Sequence, residues 1–84
     1  MARSRFELLA MFQRVATEVV ERDFPNVTES TVISELGIDS LGMLEIVGSM
    51  ERELAIQIPD ESLAGIESVH DLLSAVGRAE VSSA

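Results

Sequence analysis

The sequence predicts an all-α fold: a small four-helix bundle with three longer helices, a short third helix and a long first loop. Three observations carry this expectation. Apolar residues recur at helical spacing in three separate segments. A capping signal stands ahead of each of those segments. The one alternating stretch, "AIQIPDE", breaks at Pro59 before it amounts to a strand.

The first helix opens at "SRFE", where Ser4 and Glu7 have capping-box spacing. Its apolar stripe reads Phe6, Leu9, Phe12, Val15, Ala16, Val19 and Val20, and the helix is expected to run to about Arg22. "DFPNVTES" then marks a long loop. Val27, Val32, Ile33 and Leu36 are apolar enough to tie that loop to the core, as a structureless connection of this length requires.

Gly37 supplies a turn, and the second helix is expected from Asp39 or Ser40 to about Leu54, with Asp39 placed to cap its N–H groups. A short helix or turn follows at Asp60 to Ala64. The last helix opens at "SVHD", again with capping-box spacing, and runs through Val69, Leu72, Leu73 and Val76. Gly77 is read as its stop and residues 78–84 as a frayed tail. The chain is thus expected to be one domain, residues 1–84, with its core in about residues 5–77.

Composition narrows the class of function. At 84 residues, 46% hydrophobic and 25% charged, the chain can build one small core and has the balance of a folded soluble domain. No apolar run approaches the roughly 20 residues of a membrane span, and the N-terminus has no signal or transit pattern. With no cysteine, disulfides and thiolate metal sites are excluded, and a single histidine cannot build a histidine-rich one. Of the net charge of −9, most lies between Glu35 and Asp71, where nine acids face Arg52 alone. Such a segment repels nucleic-acid phosphates and suits partners with basic surfaces.

The second helix has two faces. Met43, Ile46, Val47, Met50 and Leu54 form a core stripe at 100° per residue. Leu41 and Leu44 fall on a shoulder with Glu45, Gly48 and Arg52. They are either partly buried residues at the bundle's edge or the apolar centre of an interface with an acidic rim. Gly48 costs about 1 kcal/mol in a helix relative to Ala, which a close approach at that position would justify.

Ser40, in "LGIDSLG", admits three readings. A nucleophile is disfavoured. The spacing differs from G-x-S-x-G, and the strand and sheet that an elbow needs are missing. The sole candidate base, His70, reads as a surface residue of the last helix, so no catalytic residue is assigned. A helix cap accounts for Asp-Ser but not for the exposed leucines that follow. An attachment point accounts for more. An anionic diester on Ser40 would meet unpaired N–H groups and the positive end of the helix dipole, and a separate enzyme would supply the base.

The stretch "LGIDSLGMLEIVGSMERELAIQIPDE", Leu36 to Glu61, resembles the acyl carrier proteins in Gly37, Asp39, Ser40, Leu41, Glu45 and "QIPDE". The helix order extends the resemblance over about residues 5–77. It implies a right-handed acyl-carrier bundle in which Ser40 carries 4′-phosphopantetheine, delivered from coenzyme A by a Mg²⁺-dependent phosphopantetheinyl transferase. The arm's thiol would hold acyl intermediates as thioesters, so the chain would be a carrier and not an enzyme. It implies docking of the transferase, a ketosynthase, an acyltransferase or acyl-ligase and other acyl-processing enzymes along Asp39, Leu41, Leu44, Glu45, Gly48 and Glu51. It also implies an acyl pocket between the helices, for which Ile46, Val47, Ile58, Ile66 and Val69 are the lining candidates. A monomer in the cytoplasm is expected.

Two departures mark this sequence within the resemblance. Gly42 stands where many fatty-acid carriers have an acid, and Arg52 interrupts the acidic strip. Both dilute the negative face and point to a dedicated carrier of polyketide or other specialised acyl synthesis. The alternatives are a peptidyl or aminoacyl carrier, or an acidic helical adaptor that binds a basic partner unmodified. A calcium-responsive module has no D-x-[DN]-x-[DN]-G loop to rest on.

Overall fold

A computed structural model of the chain describes residues 3–83. Four α-helices follow in order: α1 (Arg5–Val20), α2 (Ser40–Leu54), α3 (Asp60–Leu63) and α4 (Val69–Ser83), with a 3₁₀ turn at Ile33–Leu36 inside the first loop. The described residues contain no β-strand, only one antiparallel bridge between Val32 and Ser68. The all-α bundle is therefore as expected.

The capping box at Ser4 and Glu7 is formed: Ser4 Oγ accepts from the Glu7 N–H, and the Glu7 carboxylate accepts from the Ser4 N–H at 3.0 Å. The Ser4 bonds lower the Glu7 pKa, that to the backbone N–H first. The helix ends at Val20 rather than Arg22, because Glu21 turns left-handed (φ 60°) and its N–H closes on the Thr17 carbonyl. Leu8, Met11, Phe12, Val15 and Ala16 are the buried residues of α1. Phe6 is the correction to the expected stripe. It lies roughly 120° around the helix from Phe12 at 100° per residue, and it is 81% exposed.

The long loop is held from both sides. Phe24, Val27, Ile33 and Ile38 are buried, and Leu36 packs against the core. On the other side, loop carbonyls close the start of α4: the Val69 N–H donates to Thr31 O (2.9 Å) and the His70 N–H to Glu29 O (2.8 Å). The Ile33 N–H donates to Glu67 O at 2.9 Å. The second capping box also forms, with Ser68 Oγ accepting from the Asp71 N–H (3.2 Å) and Asp71 Oδ2 accepting from Ser68 N–H (3.1 Å). These backbone bonds spend the orphan amides of α4 on the loop and give the loop a fixed path.

α1 packs against α2 and α4, and α3 against α4. Leu8, Phe12, Ile46, Met50, Leu72 and Leu73 are fully buried at the centre. Gly77 does not stop α4, which is a second correction: the helix runs on to Ser83. Its extension has work to do in packing, since Ala79 is buried and Glu80 accepts the Arg3 N–H at 3.2 Å.

Candidate functional site

The site grows from the turn before α2. Gly37 ends the 3₁₀ turn in the left-handed region (φ 78°), a conformation that favours glycine, and its N–H donates to Ser34 O at 3.1 Å. Ile38 then buries its side chain, and this anchors the chain at the edge of the core. Asp39 stays extended and caps α2: its Oδ1 accepts from the Gly42 N–H at 2.8 Å, and its carbonyl accepts from the Met43 N–H at 2.9 Å. Ser40 is the first helical residue and is exposed.

Among the described residues, no acceptor pairs with the N–H groups of Ser40 and Leu41. At α4, by contrast, loop carbonyls take the first two amides. An anion on the Ser40 hydroxyl would meet two free donors and the positive end of a fifteen-residue helix.

A cavity of about 610 Å³ opens beside Ser40. Asp39 and Ser40 stand on its wall, and Ile33, Ile38, Met43, Val47, Leu63 and Ile66 give it an apolar lining. Of the five expected pocket residues, Val47 and Ile66 line this cavity. Ile46 and Val69 are wholly covered in the core, and Ile58 faces a separate open cavity with Gly48 and Arg52. The i, i+3, i+4 stripe of α2 does not separate a residue that faces a void from one that fills the core. Ile33 was legible only as an apolar loop residue and Met43 only as core stripe, and Ile38 was not singled out at all; the place of Met43 three residues after Ser40 was the usable signal.

Leu41 and Leu44 are 65% and 57% exposed, so the shoulder of α2 is an apolar surface in water. Asp39 and Glu45 are exposed beside them. Gly48 has no close neighbour: a Cβ there would meet only Arg52 Nη1, at 3.6 Å. Neither the loop nor another helix explains that glycine, which leaves the helix surface flat at this point. Glu51 is also engaged in the fold. Its Oε2 accepts from the Ile58 N–H at 2.7 Å and ties the α2–α3 connection back to α2. Arg52 hydrogen-bonds Ser49 Oγ at 3.2 Å and forms no ion pair among the described residues.

His70 does not serve Ser40. Its Nδ1 lies 3.1 Å from Glu29 Oε1 and 3.1 Å from Arg5 Nη2, at the junction of loop, α1 and α4, and it lines a different cavity. The Arg5 guanidinium first, and His70 second, lower the Glu29 pKa. The arrangement at Ser40 therefore offers an exposed serine, free amides and an apolar recess, and among the described residues no base hydrogen-bonds its hydroxyl.

Comparison with known proteins finds similar chains and a matching family. The family model described as the phosphopantetheine attachment site matches residues 7–76. The chain is 36% identical to the meromycolate extension acyl carrier protein of Mycolicibacterium aurum, over 95% of this chain and 84% of that protein. It is 32% identical to the acyl carrier protein of Rhodococcus erythropolis, over 100% of this chain and 93% of that one. The crystal structure of an acyl carrier protein from Thermotoga maritima superposes with a TM-score of 0.89 at 32% identity, covering 95% of this chain and 94% of the other.

Proposed function

The chain belongs to the acyl carrier protein family, and we propose that Ser40 is the residue on which it carries its 4′-phosphopantetheine arm. The observation that supports this most is the exposed Ser40 hydroxyl at the open N-terminus of α2, on the wall of an apolar cavity. When attached, the arm supplies a thiol that holds acyl groups as thioesters. The chain's own part is to present the hydroxyl, to meet the diester with the Ser40 and Leu41 amides, and to shelter apolar cargo against Ile38, Met43, Val47 and Ile66. The base and metal for loading belong to the transferase, and the chain itself catalyses nothing.

The docking face runs along α2 through Asp39, Leu41, Leu44, Glu45 and Gly48. It suits a phosphopantetheinyl transferase and acyl-processing enzymes with basic surfaces around an apolar hollow. Glu51 contributes charge to this face, but its carboxylate also serves the fold through Ile58. The pathway we favour is specialised fatty-acid-type or polyketide-type chain building. Gly42 and Arg52 set the face apart from a uniformly acidic one, and relatives named for meromycolate extension lie among the similar proteins. The working form is a cytoplasmic monomer of one domain.

Incubation of the apo protein with coenzyme A, Mg²⁺ and a phosphopantetheinyl transferase tests the attachment site. Intact mass should rise by one arm, and Ser40→Ala should abolish the gain while its helical circular dichroism stays that of the wild type. A gain retained by Ser40→Ala overturns the assignment.

A further inference from the structure

Arg22 lies just past the end of α1, eighteen residues before Ser40 in sequence, and the function described above gives it no part. Its surroundings do. The left-handed turn at Glu21 sends the chain back from α1, and the Arg22 side chain crosses the loop to donate from Nη2 to the Leu36 carbonyl. Its guanidinium carbon sits 5.3 Å from the centre of the buried Phe24 ring, which supports the planar group from one side. It also occupies the space beside Gly37: a Cβ at that position would lie 2.8 Å from Arg22 Nη2. Among the described residues it pairs with no carboxylate.

Three features thus meet at one turn: a left-handed glycine without a side chain, a carbonyl at the end of a 3₁₀ segment, and a cation seated on an aromatic ring to reach it. From Leu36 the backbone passes through Gly37, the buried Ile38 and the capping Asp39 to Ser40. The 3₁₀ turn is itself continuous with Ile33, which lines the cavity at Ser40. Arg22 does not line that cavity. Anything it does for Ser40 it does through the Leu36–Gly37 turn.

We propose that Arg22 is a positioning residue for the loading of Ser40: by bonding Leu36 O over Gly37 it fixes the turn that sets the angle of the α2 N-terminus and of the Ser40 hydroxyl. This rests on the reading of Ser40 as the attachment serine. An ordinary surface arginine would contribute solubility and little else. A group that only stabilised the fold would change how much folded carrier is present, not the rate at which bound carrier reacts.

Single-turnover loading at varied, saturating transferase with coenzyme A and Mg²⁺ separates these cases. Arg22→Ala should slow the maximal loading rate about tenfold, the size of effect that a small misplacement of a reacting group produces. Its half-saturation concentration should be no higher than that of the wild type. The substitution removes a positive charge, which favours encounter with a basic transferase, and encounter affects half-saturation but not the maximal rate of the bound carrier. Arg22→Lys, which keeps a donor and a cation over Phe24, should recover a substantial part of the rate. Gly37→Ala should slow loading too, and the double variant should be no slower than the worse single one, since both act on the same turn.

A maximal rate unchanged in Arg22→Ala, or a shift in half-saturation alone, overturns the proposal. If the wild type takes up no arm from the transferase, the Ser40 reading fails and the loading role fails with it. Amide exchange at Gly37 and Ile38 in the apo protein then still reports whether Arg22→Ala loosens the turn. A wild type that loads, beside an Arg22→Ala variant that loads equally fast, removes the Arg22 role and leaves Ser40 standing.

Discussion

Asp39 Oδ1 accepts the Gly42 N–H at 2.8 Å, and a Cβ on Gly42 would stand 3.3 Å from that same oxygen and 3.3 Å from Ile38 Cγ2. The cap and the glycine three residues on therefore act as one unit. Gly42→Ala brings the intrinsic helix preference of Ala over Gly, about 1 kcal/mol, but crowds the cap it stands against. The expected outcome is a variant no more stable than the wild type by urea unfolding. Asp39→Ala should cost about 1 kcal/mol, the usual worth of an N-cap, and Asp39→Asn should keep most of it. A full 1 kcal/mol gain in Gly42→Ala would show that the cap shifts freely.

Glu51 holds the connection between α2 and α3 by accepting the Ile58 N–H. Glu51→Ala should destabilise the domain by about 1–2 kcal/mol, because it leaves a partly buried N–H without its partner. Glu51→Gln, which can still accept, should lose less than half of that. Glu45→Lys should behave differently: stability close to that of the wild type, but slower acyl transfer by partner enzymes at low salt, with the defect shrinking as salt rises. Equal salt-sensitive defects in Glu51→Gln and Glu45→Lys would place both carboxylates on the docking face in the same sense.

Ala55 closes α2 in the left-handed region, at φ 56°. A residue with a Cβ is disfavoured there by about 1 kcal/mol or more, and glycine is not. Ala55→Gly should therefore raise stability by about 0.5–1 kcal/mol, after the entropic cost of glycine in the unfolded chain is subtracted. For a domain of this size that is a rise of roughly 2–8 °C in thermal midpoint. A lower midpoint would mean that the turn is not strained.

Acid should unfold the domain in a defined direction. Asp71 has its pKa lowered first by the backbone N–H groups of Ser68 and Glu67, Glu29 by Arg5 and then His70, and Glu53 by Arg14. Each is a carboxylate depressed by folding, so its contribution is fully present above the ordinary carboxylate range, about pH 4. It is lost as pH falls through the lowered folded value. Stability followed by circular dichroism should thus hold from pH 7 towards pH 5 and collapse below about pH 4. Asp71→Asn should flatten the acid limb. An acid limb as steep as that of the wild type would deny Asp71 its share.

Much of the architecture was written locally. Both capping boxes, the Asp39 cap, the glycine turn at Gly37 and the limits of α2 and α3 follow from contacts within four residues, and all formed as read. Errors came where a distant partner decides. Gly77 reads as a stop, but packing around Ala79 and the bond from Arg3 to Glu80 draw α4 onward. Phe6 reads as core, yet the stripe of α1 centres on Leu8, Phe12 and Val15 and leaves Phe6 on the opposite side.

By itself the sequence determined the helices, the acidic second helix with two leucines off its core stripe, and the serine at its head. Those features depend on period, capping chemistry and charge, which neighbouring residues set between them. Only the tertiary structure decided which apolar residues face a void and which fill the core, that Glu51 is tied to Ile58, and that Arg22 reaches Leu36. Each of these depends on segments far apart in sequence meeting in space, and no local pattern encodes that meeting.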